Sequence, residues 1–454
     1  MQQQKITLIG AGLVGSLCAV FLARRGFQVE IFERRPDMRK ETIAAGRSIN
    51  LALANRGILP LEQAALMEQV NHLLTPMKGR MIHNLDGHLD LQLYGQKKEE
   101  VIYSISRTDL NTLCMNAAEG YGNVTIHFNQ SCVDVDFDNN ELLIKDQLKE
   151  THYKHPFNRL IGTDGSASAV RDAIHRNLSN FHHIDTLQHS YKELCIPASA
   201  NGHFQMEPNA LHIWPRSDFM LIALPNKDAT FTVTLFMPNA GDISFAEVNN
   251  QERLFKLFEQ KFADAKELIP NLAQDYFDNP TGSLATVCCD PWHYQAKALL
   301  IGDAAHAIVP FHGQGMNCGF EDVLELDNQI ALHSNNWEKI FSATAQARMP
   351  NANAIADMAI ENYQEMRDSV NQANYQLKKQ LSFELESRWP NHFIPRYSMV
   401  MFHHLPYSEA QSRGNIQNGI LTQLTENISA AHECNFAQAE RLIKERLPAV
   451  DLNR

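Results

Sequence analysis

A carboxylate and a glycine-rich turn follow one another late in the chain, in residues 298–317. Residues 298–301 form a short apolar run, typical of a buried parallel strand, and it ends at Gly302-Asp303. An acid at the carboxyl end of such a strand lies where open α/β sheets bind ligands. Gly313-Gln314-Gly315 then precedes a segment of helical character, and a helix N-terminus favours an anion. This arrangement suits the ribityl hydroxyls and anionic ring of a reduced flavin; an ordinary strand-loop-helix with a capping aspartate is the alternative.

A second ligand-binding pattern lies near the N-terminus. Residues 5–9 predict a strand, and Gly10-x-Gly12-x-x-Gly15 predicts the tight turn that brings a pyrophosphate to the following helix, expected over residues 16–25. A second strand is expected over residues 28–32. Glu33 ends it, 18 residues past Gly15, where a carboxylate binds an adenosine ribose. NAD and FAD share this fingerprint, but the separate late acid provides a site for the far end of an extended cofactor, which favours FAD.

Length and composition indicate a globular protein with two or three domains. The chain has 454 residues, of which 44 % are hydrophobic and 20 % charged. Its formal net charge of -12 argues against a nucleic-acid partner, because phosphate binding requires clustered Lys and Arg. The eight cysteines show no metal-binding spacing and favour reduced thiols in a cytoplasmic protein. The pairs His182-His183 and His403-His404 lack acidic or Cys neighbours at ligand spacing, so we expect no metal site.

One segment resembles a signal peptide or a membrane span. Residues 6–23 are an uncharged run of 18 residues. The run contains the three fingerprint glycines and is followed directly by another strand. We therefore expect no membrane partner, and the polar C-terminus supports the same expectation.

A hairpin is expected to carry two further candidate residues. Residues 77–83 alternate and precede an Asp86-Gly87 turn, and the partner strand contains Leu89, Leu91 and Leu93. This hairpin places Arg80 and Tyr94 on neighbouring strands, where they bind a ligand or are simply an exposed arginine and an edge aromatic.

The remaining elements complete an α/β architecture with an insertion. We expect a Rossmann-like FAD-binding domain, an inserted antiparallel-sheet substrate domain and a helical C-terminal region. Residues 47–53 either contact the cofactor or begin a plain element, and a helix is expected to start within residues 104–110. The predicted boundaries are 1–70, 106–177 and 286–340 for the FAD domain, 71–105 and 178–285 for the substrate domain, and 341–454 for the helical region.

Taken together, these motifs resemble the single-component aromatic flavoprotein hydroxylases with the para-hydroxybenzoate hydroxylase fold. The shared motifs are the glycine fingerprint, Asp164-Gly165 and Gly302-Asp303. More specific runs resemble the kynurenine 3-monooxygenase branch: residues 77–83 (MKGRMIH), 103–107 (YSISR), 310–322 (PFHGQGMNCGFED) and 361–367 (ENYQEMR). The resemblance extends to about residue 400. Eukaryotic members carry a C-terminal membrane anchor, whereas this chain ends in polar helices such as residues 436–447, which favours a soluble bacterial-type enzyme.

The resemblance implies a defined chemistry. NADPH reduces non-covalently bound FAD, and the reduced flavin takes up O₂ to form a C4a-hydroperoxide. That species hydroxylates L-kynurenine to 3-hydroxy-L-kynurenine, a step of tryptophan degradation and of NAD synthesis from tryptophan. The aniline nitrogen of the substrate already activates the ring carbon, so no residue is expected to act as a catalytic acid or base. The family binds NADPH transiently, without a second Rossmann domain, and a homodimer is an open alternative to a monomer.

The resemblance also implies site residues. Arg80 and Tyr94 match positions that hold the substrate carboxylate, and Asn362 and Tyr397 match two more substrate contacts. Phe311 and His312 match the loop between flavin and substrate. Glu365 and Met366 share the helical face of Asn362, with helix packing as the alternative. The expected cofactor contacts are Gly10, Gly12, Val14, Gly15, Phe32, Glu33, Arg34, Arg35, Ala52, Arg107, Cys132, Asp164, Asp303, Gly315, Met316 and Asn317.

Two other functions remain open on the sequence. A sibling hydroxylase acting on a benzoate or phenol would use Arg80 and Tyr94 for an aryl carboxylate. A non-catalytic flavin-binding sensor would hold FAD without consuming NADPH. A flavin halogenase is disfavoured, because Trp292 has no second tryptophan in a WxWxIP-like run.

Overall fold

The computed structural model describes residues 4–40, 50–178, 182–366 and 373–451. Residues 47–49 lie outside these ranges; they belong to the segment 47–53, for which a cofactor contact and a plain element are both open on the sequence. The strands are β1 Lys5–Ile9, β2 Gln28–Glu33, β3 Asn50–Leu53, β4 Thr75–Met77, β5 Gly79–His83, β6 Leu89–Leu93, β7 Ile102–Ser106, β8 Val124–Phe128, β9 Gln130–Asp136, β10 Glu141–Asp146, β11 Thr151–Pro156, β12 Leu160–Gly162, β13 His182–Ile196, β14 Ala210–Arg216, β15 Phe219–Pro225, β16 Phe231–Pro238, β17 Gly282–Cys289, β18 His293–Tyr294 and β19 Ala298–Leu300.

Helices make up most of the remaining structure and dominate the last third of the chain. The α-helices are α1 Leu13–Arg24, α2 Asn55–Gln63, α3 Met67–Asn71, α4 Arg107–Gly120, α5 Ala169–Leu178, α6 Gln251–Lys261, α7 Ala263–Leu268, α8 Leu272–Asp278, α9 Asp303–His306, α10 Gly315–His333, α11 Trp337–Gln364, α12 Ala373–Arg388, α13 Arg396–Met401, α14 Tyr407–Thr425 and α15 Phe436–Arg446. Short 3-10 helices occur at Pro310–His312 and Ala431–Glu433. None of the helices within the described ranges combines the length and hydropathy that a bilayer span requires.

The chain folds into two compact units. Unit 1 comprises Met1–Leu74, Ser104–Leu187 and Leu284–Ala356, and unit 2 comprises Thr75–Tyr103, Gln188–Ser283 and Asp357–Arg454. The expected α/β architecture, with a Rossmann-like FAD-binding domain, an inserted sheet and a helical C-terminal region, is confirmed.

Unit 1 is built on a parallel sheet with the strand order β18-β19-β12-β1-β2-β8. Only the short edge strand β18 runs antiparallel to its neighbour. The register places Ile9 opposite Gly162 and Gly162 opposite Leu300, so β1, β12 and β19 end side by side. As a result, the turns that follow these strands meet at one edge of the sheet, where α/β folds bind ligands.

The sheet of unit 2 contains the strands β13-β16-β15-β14-β5-β6 in that order. Its pairs are antiparallel except for β14 and β5, which are parallel. The expectation of a wholly antiparallel sheet is corrected here, because β5 and β6 come from an earlier crossing of the chain and join the edge of the later meander. The β5–β6 hairpin itself is confirmed, with Arg80 opposite Gln92.

The helix start expected within residues 104–110 is confirmed. Residues 104–106 are the last residues of β7, and α4 begins at Arg107. Ser106 has extended backbone angles and accepts a hydrogen bond from the Asp109 N–H at 3.2 Å. It therefore caps the helix from outside, as serine commonly does.

Candidate functional site

The fingerprint glycines of unit 1 serve two different purposes. Gly10 has a φ of +101°, and a Cβ there would lie 2.6 Å from the Thr163 carbonyl oxygen. A Cβ on Gly15 would overlap the Gly10 carbonyl oxygen. A Cβ on Gly12, in contrast, would meet no heavy atom within 4 Å. Gly10 and Gly15 therefore permit close packing, whereas Gly12 leaves space in front of the turn.

The N-terminus of α1 is open to an anion. Gly12 is its N-cap, with no side-chain cap and no acidic residue in the first turn. At the end of β2, Glu33 accepts a hydrogen bond from the Ala11 N–H at 2.8 Å and from Arg35 Nε at 2.7 Å. Burial alone would raise the pKa of Glu33, but the bonds from Arg35 and Ala11 outweigh it and lower that pKa. Glu33 is thus an ionised acceptor beside the turn.

Three further predicted cofactor residues flank Glu33. Phe32 is buried and stacks on His127, with ring centroids 4.9 Å apart. Arg34 and Arg35 follow the strand and are exposed.

The second turn meets the first at the sheet edge. Gly302 has a φ of +61°, and a Cβ there would lie 3.0 Å from Val14 Cγ2 at the start of α1. Asp303 is exposed although both its neighbours are buried. A Cβ on Gly315, at the start of α10, would lie 4.0 Å from Asp303 Oδ1. The structure therefore brings together Val14, Asp303 and Gly315, three of the predicted cofactor residues, with Gly302 between them.

The start of α10 is a second uncapped helix N-terminus, with Gln314 as an N-cap that makes no side-chain cap. Asn317 is fully buried; its Nδ2 donates to the Ala52 and Gly313 carbonyl oxygens at 2.9 and 2.8 Å, and its Oδ1 accepts from the Ala54 N–H at 3.0 Å. Its side chain thus ties α10 to the end of β3 and positions Ala52. Met316 is also buried.

Asp164 and Cys132 lie near each other, and burial raises the pKa of both side chains. Asp164 accepts hydrogen bonds from Ser168 Oγ at 2.5 Å and from the Val170 N–H at 3.4 Å, and burial raises its pKa in spite of them. Burial, followed by the charge of Asp164, raises the pKa of the Cys132 thiol. Asp164 therefore caps the segment leading into α5, and Cys132 is a thiol rather than a thiolate.

Arg107 and the loop residues Phe311 and His312 complete the predictions in unit 1. Arg107 is exposed at the first position of α4, one turn before Asn111, whose Nδ2 donates to the Ala11 carbonyl oxygen at 3.0 Å. Phe311 and His312 are buried in the 3-10 helix, which ends at Gly313 with a φ of +67°.

Unit 2 contains the predicted carboxylate-binding residues in one cluster. Arg80 is 6 % exposed, and its Nη2 donates to Asn362 Oδ1 at 3.3 Å. Its Cζ lies 5.9 Å from the centre of the Tyr94 ring and 5.1 Å from that of Tyr397, and the two rings stack 5.3 Å apart. Arg80 Nε has no hydrogen-bond partner among the residues that the structure describes. A buried guanidinium with an unused donor is suited to an anion from outside the chain.

The end of α11 brings Glu365 and Met366 to the same cluster. Glu365 Oε1 lies 3.6 Å from Arg80 Nη1, and Asn362 Nδ2 lies 3.3 Å from Met366 Sδ. Glu365 and Met366 have π-helical geometry, which occurs frequently at functional sites.

The sequence reasoning missed two residues of this cluster. Tyr375 Oη donates to Glu365 Oε1 at 2.6 Å, and Lys379 Nζ lies 3.4 Å from Gln92 Oε1. Burial, followed by the charge of Arg80, lowers the pKa of Lys379 to about 8. Both residues lie on one face of α12 because they are four positions apart. A Tyr-x-x-x-Lys pair on a polar helix is a weak signal without the fold.

The residues of unit 1 fit FAD. Two uncapped helix N-termini can bind the pyrophosphate and an anionic ring, the space at Gly12 admits a phosphate, and Glu33 and Asp303 supply acceptors for hydroxyl groups. A family model described as an FAD binding domain matches residues 3–359.

Full-length relatives decide the family. The kynurenine 3-monooxygenase of Myxococcus xanthus (strain DK1622) is 46 % identical over 98 % of this chain and 96 % of its own length. The Stenotrophomonas maltophilia (strain K279a) enzyme of the same name is 46 % identical over 99 % of this chain and 98 % of its own length. The chain belongs to the kynurenine 3-monooxygenase family.

Solved structures share the fold of this kynurenine 3-monooxygenase family member. The tetrameric form of 2-methyl-3-hydroxypyridine-5-carboxylic acid oxygenase aligns with a TM-score of 0.67 at 17 % identity, over 85 % of this chain and 98 % of its own. The p-nitrophenol 4-monooxygenase PnpA from Pseudomonas putida DLL-E4 aligns with a TM-score of 0.65 at 16 % identity, over 93 % of this chain and 97 % of its own. These likenesses describe the fold, whereas the family assignment rests on the full-length relatives.

Proposed function

We propose that this protein hydroxylates L-kynurenine to 3-hydroxy-L-kynurenine, using NADPH and O₂ and non-covalently bound FAD. Membership of the kynurenine 3-monooxygenase family supports the reaction. One structural observation supports the substrate class: Arg80 is buried beside two aromatic rings, and its Nε–H has no partner among the described residues. A buried guanidinium of this kind favours a carboxylate partner, because a buried charge with an unsatisfied donor is costly and a carboxylate matches its planar fork.

The cluster around Arg80 accounts for both charges of an amino acid. Arg80 binds the α-carboxylate through its planar fork, and Tyr94 and Tyr397 donate hydroxyl hydrogen bonds to it. Burial raises the pKa of Tyr397 to about 12, so its hydroxyl remains a donor at neutral pH. Glu365 accepts a hydrogen bond from the α-ammonium group, and the hydrogen bond from Tyr375 orients the Glu365 carboxylate.

The remaining substrate contacts are those that the family resemblance implies. Asn362, already bonded to Arg80, links the carboxylate subsite to Met366, which lies just beyond the end of α11. Phe311 and His312 lie in the 3-10 helix of unit 1, and their assignment to the substrate rests on the family resemblance alone. No acid or base is required among these residues, because the amine on the substrate ring already activates the neighbouring carbon.

FAD, when bound, supplies the activation of O₂ and the oxygen transfer. The chain holds the cofactor and keeps water from the reacting ring. Gly10, Gly12, Val14 and Gly15 would hold the pyrophosphate at α1, and Phe32, Glu33, Arg34 and Arg35 would hold the adenosine. Asp303 would accept hydrogen bonds from ribityl hydroxyls, and the backbone N–H groups of Gly315, Met316 and Asn317 would bind the ring. The remaining assigned contacts are Ala52, Arg107, Cys132 and Asp164.

We also propose a cellular location and a set of partners for the enzyme. None of the eight cysteines, all of which lie in the described ranges, forms a disulfide bond, which supports a reducing, cytoplasmic location. The partners are small molecules, L-kynurenine, NADPH and O₂, and a homodimer is the oligomeric state to be tested against the monomer by light scattering.

The function is tested by the rate of NADPH oxidation with different effectors. We expect L-kynurenine to accelerate oxidation and benzoates or phenols lacking an amino-acid group to leave it near its basal rate. Stimulation by a benzoate and not by L-kynurenine would identify a sibling hydroxylase. Bound FAD without NADPH oxidation under any aromatic effector would identify a flavin-binding sensor.

A further inference from the structure

A buried charge network in unit 1 lies directly behind the turn that carries Asp303. It joins α2, α9, α10 and α11. Asp322 is 0 % exposed, Arg56 1 % and His306 3 %, and Arg348 and Glu321 complete the network. Four buried ionisable side chains with a half-buried fifth, Glu321, require a structural or functional reason, because burying charge is costly.

Asp322 is the centre of this network. Its Oδ2 accepts the Gly302 N–H at 2.9 Å and lies 2.5 Å from His306 Nε2, while its Oδ1 accepts Arg348 Nε at 2.8 Å. The opposing charges of His306 and Arg348 outweigh burial and hold the pKa of Asp322 well below its usual value. The carboxylate is therefore ionised and fixed from three directions.

Glu321, the adjacent carboxylate on α10, has different contacts. It accepts Arg348 Nη2 at 3.0 Å and Arg56 Nη1 at 2.9 Å. These two bonds of Glu321 come from arginine side chains, whereas Asp322 also accepts a backbone N–H of the turn. Glu321 therefore serves to stabilise the core, whereas Asp322 also controls the position of the Gly302 turn.

A metal site is the alternative use of this cluster. His306, Cys318 and Asp322 place ligand atoms within 4.8 Å of one another. Both oxygens of Asp322, however, are already engaged, and the guanidinium of Arg348 also contacts the Cys318 carbonyl oxygen at 3.2 Å. An arginine in that place repels a metal cation, so the cluster is a protein-internal ion network.

We propose that Asp322 is a positioning residue for the flavin. It fixes the Gly302 turn, whose φ of +61° aims the exposed Asp303 carboxylate at the ribityl site while α9 folds back into the core. Because Asp322 and Gly315 belong to the same helix, one carboxylate couples the turn to the N-terminus that faces the ring. The network thus sets the relative position of two cofactor contacts. This inference rests on the proposed placement of the flavin at Asp303.

The test measures FAD dissociation constants by titrating apoprotein with FAD, for wild type, Asp322→Asn and the matched control Glu321→Gln. Asp322→Asn keeps the shape of the side chain but replaces one carboxylate oxygen with an NH₂ group. That group would face the donors that the carboxylate now accepts from, such as the Gly302 N–H and Arg348 Nε. Losing a buried acceptor of this kind should weaken FAD binding at least about tenfold. Glu321→Gln removes a carboxylate from the same network and should lower the melting temperature, yet leave FAD affinity within about threefold. With FAD saturating, the KM for L-kynurenine should be unchanged in both variants.

Equal loss of FAD affinity in both variants, or unchanged affinity in Asp322→Asn, would overturn the proposal. Should Asp322→Asn fail to fold, Asp322→Glu retains the charge opposite Arg348 and moves the carboxylate by one methylene, and the same loss of affinity is expected. Asp303→Ala, measured in parallel, tests the underlying placement. If Asp303→Ala binds FAD normally, the flavin assignment fails; if it loses FAD while Asp322→Asn and Asp322→Glu do not, only the positioning role fails.

Discussion

Arg80 Nη1 lies 3.6 Å from Glu365 Oε1, so the buried guanidinium and its nearest carboxylate are paired at a distance too long for a hydrogen bond. Glu365 instead accepts its short bond, 2.6 Å, from Tyr375. A substrate carrying both a carboxylate and an ammonium group can satisfy the two side chains at once. The spacing therefore favours an amino-acid ligand over an aryl carboxylate, which would satisfy Arg80 only.

The first prediction concerns the carboxylate. Arg80→Ala should weaken L-kynurenine binding, because truncating one partner of a buried charged pair costs about 2–5 kcal/mol, with each tenfold in affinity worth about 1.4 kcal/mol. FAD content should not change, since Arg80 belongs to unit 2. The matched control is Arg216→Ala in the neighbouring strand β14, whose guanidinium bonds the backbone carbonyls of Lys261 and His83. Affinity within about twofold of wild type in Arg80→Ala would place the carboxylate elsewhere.

A second prediction concerns the ammonium group. Glu365→Gln should weaken L-kynurenine binding by at least about tenfold, while an analogue lacking the α-amino group binds wild type and variant alike. Tyr375→Phe should show the same selectivity with a smaller effect, because it removes only the bond that orients Glu365. Spectral titrations with both ligands check this. A variant that loses both ligands equally would indicate a general packing defect.

Much of unit 1 was predictable because its signals are local. The fingerprint turn, the acid at Glu33 and the short strand that precedes Gly302-Asp303 depend on short segments whose periodicity and glycine spacing specify one geometry. The β5–β6 hairpin was predictable for the same reason, since an Asp-Gly turn fixes its register. The sheet then brings these local signals to one edge.

The residues that sequence reasoning missed are positioned by long-range packing. Tyr375 and Lys379 reach the Arg80 cluster only because α12 folds onto the hairpin of unit 2, a contact spanning nearly three hundred residues for Lys379 and Gln92. In the sequence, Asp322 and Arg348 are likewise indistinguishable from exposed polar residues on two helices. Only the packing of α10 against α11 shows that they are buried. The parallel β14–β5 pair was missed because hydrophobic alternation does not encode strand direction.

The third prediction separates cofactor binding from folding. Gly12→Ala should leave the melting temperature of the apoprotein nearly unchanged, because its Cβ meets no heavy atom within 4 Å, and should abolish FAD retention. Gly15→Ala should instead destabilise the apoprotein, because its Cβ overlaps the Gly10 carbonyl oxygen. Thermal melts and FAD titrations of both variants decide this. A Gly12→Ala variant that retains FAD would contradict the assigned pyrophosphate site.

The fourth prediction concerns pH. Burial, and then Arg80, lowers the pKa of Lys379 to about 8, below its ordinary value of 10.5. Below a pH of about 8, Lys379 is protonated in both states, and the folded protein bears the full cost of a buried ammonium group. Between about 8 and 10.5 the unfolded chain holds the proton more often than the folded protein does. The free energy of unfolding therefore rises with pH in this window.

Lys379→Met removes this dependence. The variant should therefore exceed wild type in stability by on the order of a few kcal/mol near neutral pH, and by progressively less as the pH approaches about 10. Denaturant unfolding of both proteins across this range measures the difference. A difference independent of pH would show that Lys379 does not titrate in this window.

The central claim is oxygen transfer from O₂ to the aromatic ring of L-kynurenine. The direct measurement is mass spectrometry of the product formed from L-kynurenine, NADPH and isotopically labelled O₂. We expect 3-hydroxy-L-kynurenine carrying one labelled oxygen atom, formed in amounts that match the NADPH consumed. NADPH oxidation that yields only hydrogen peroxide with unmodified kynurenine, in enzyme saturated with FAD, would contradict the account.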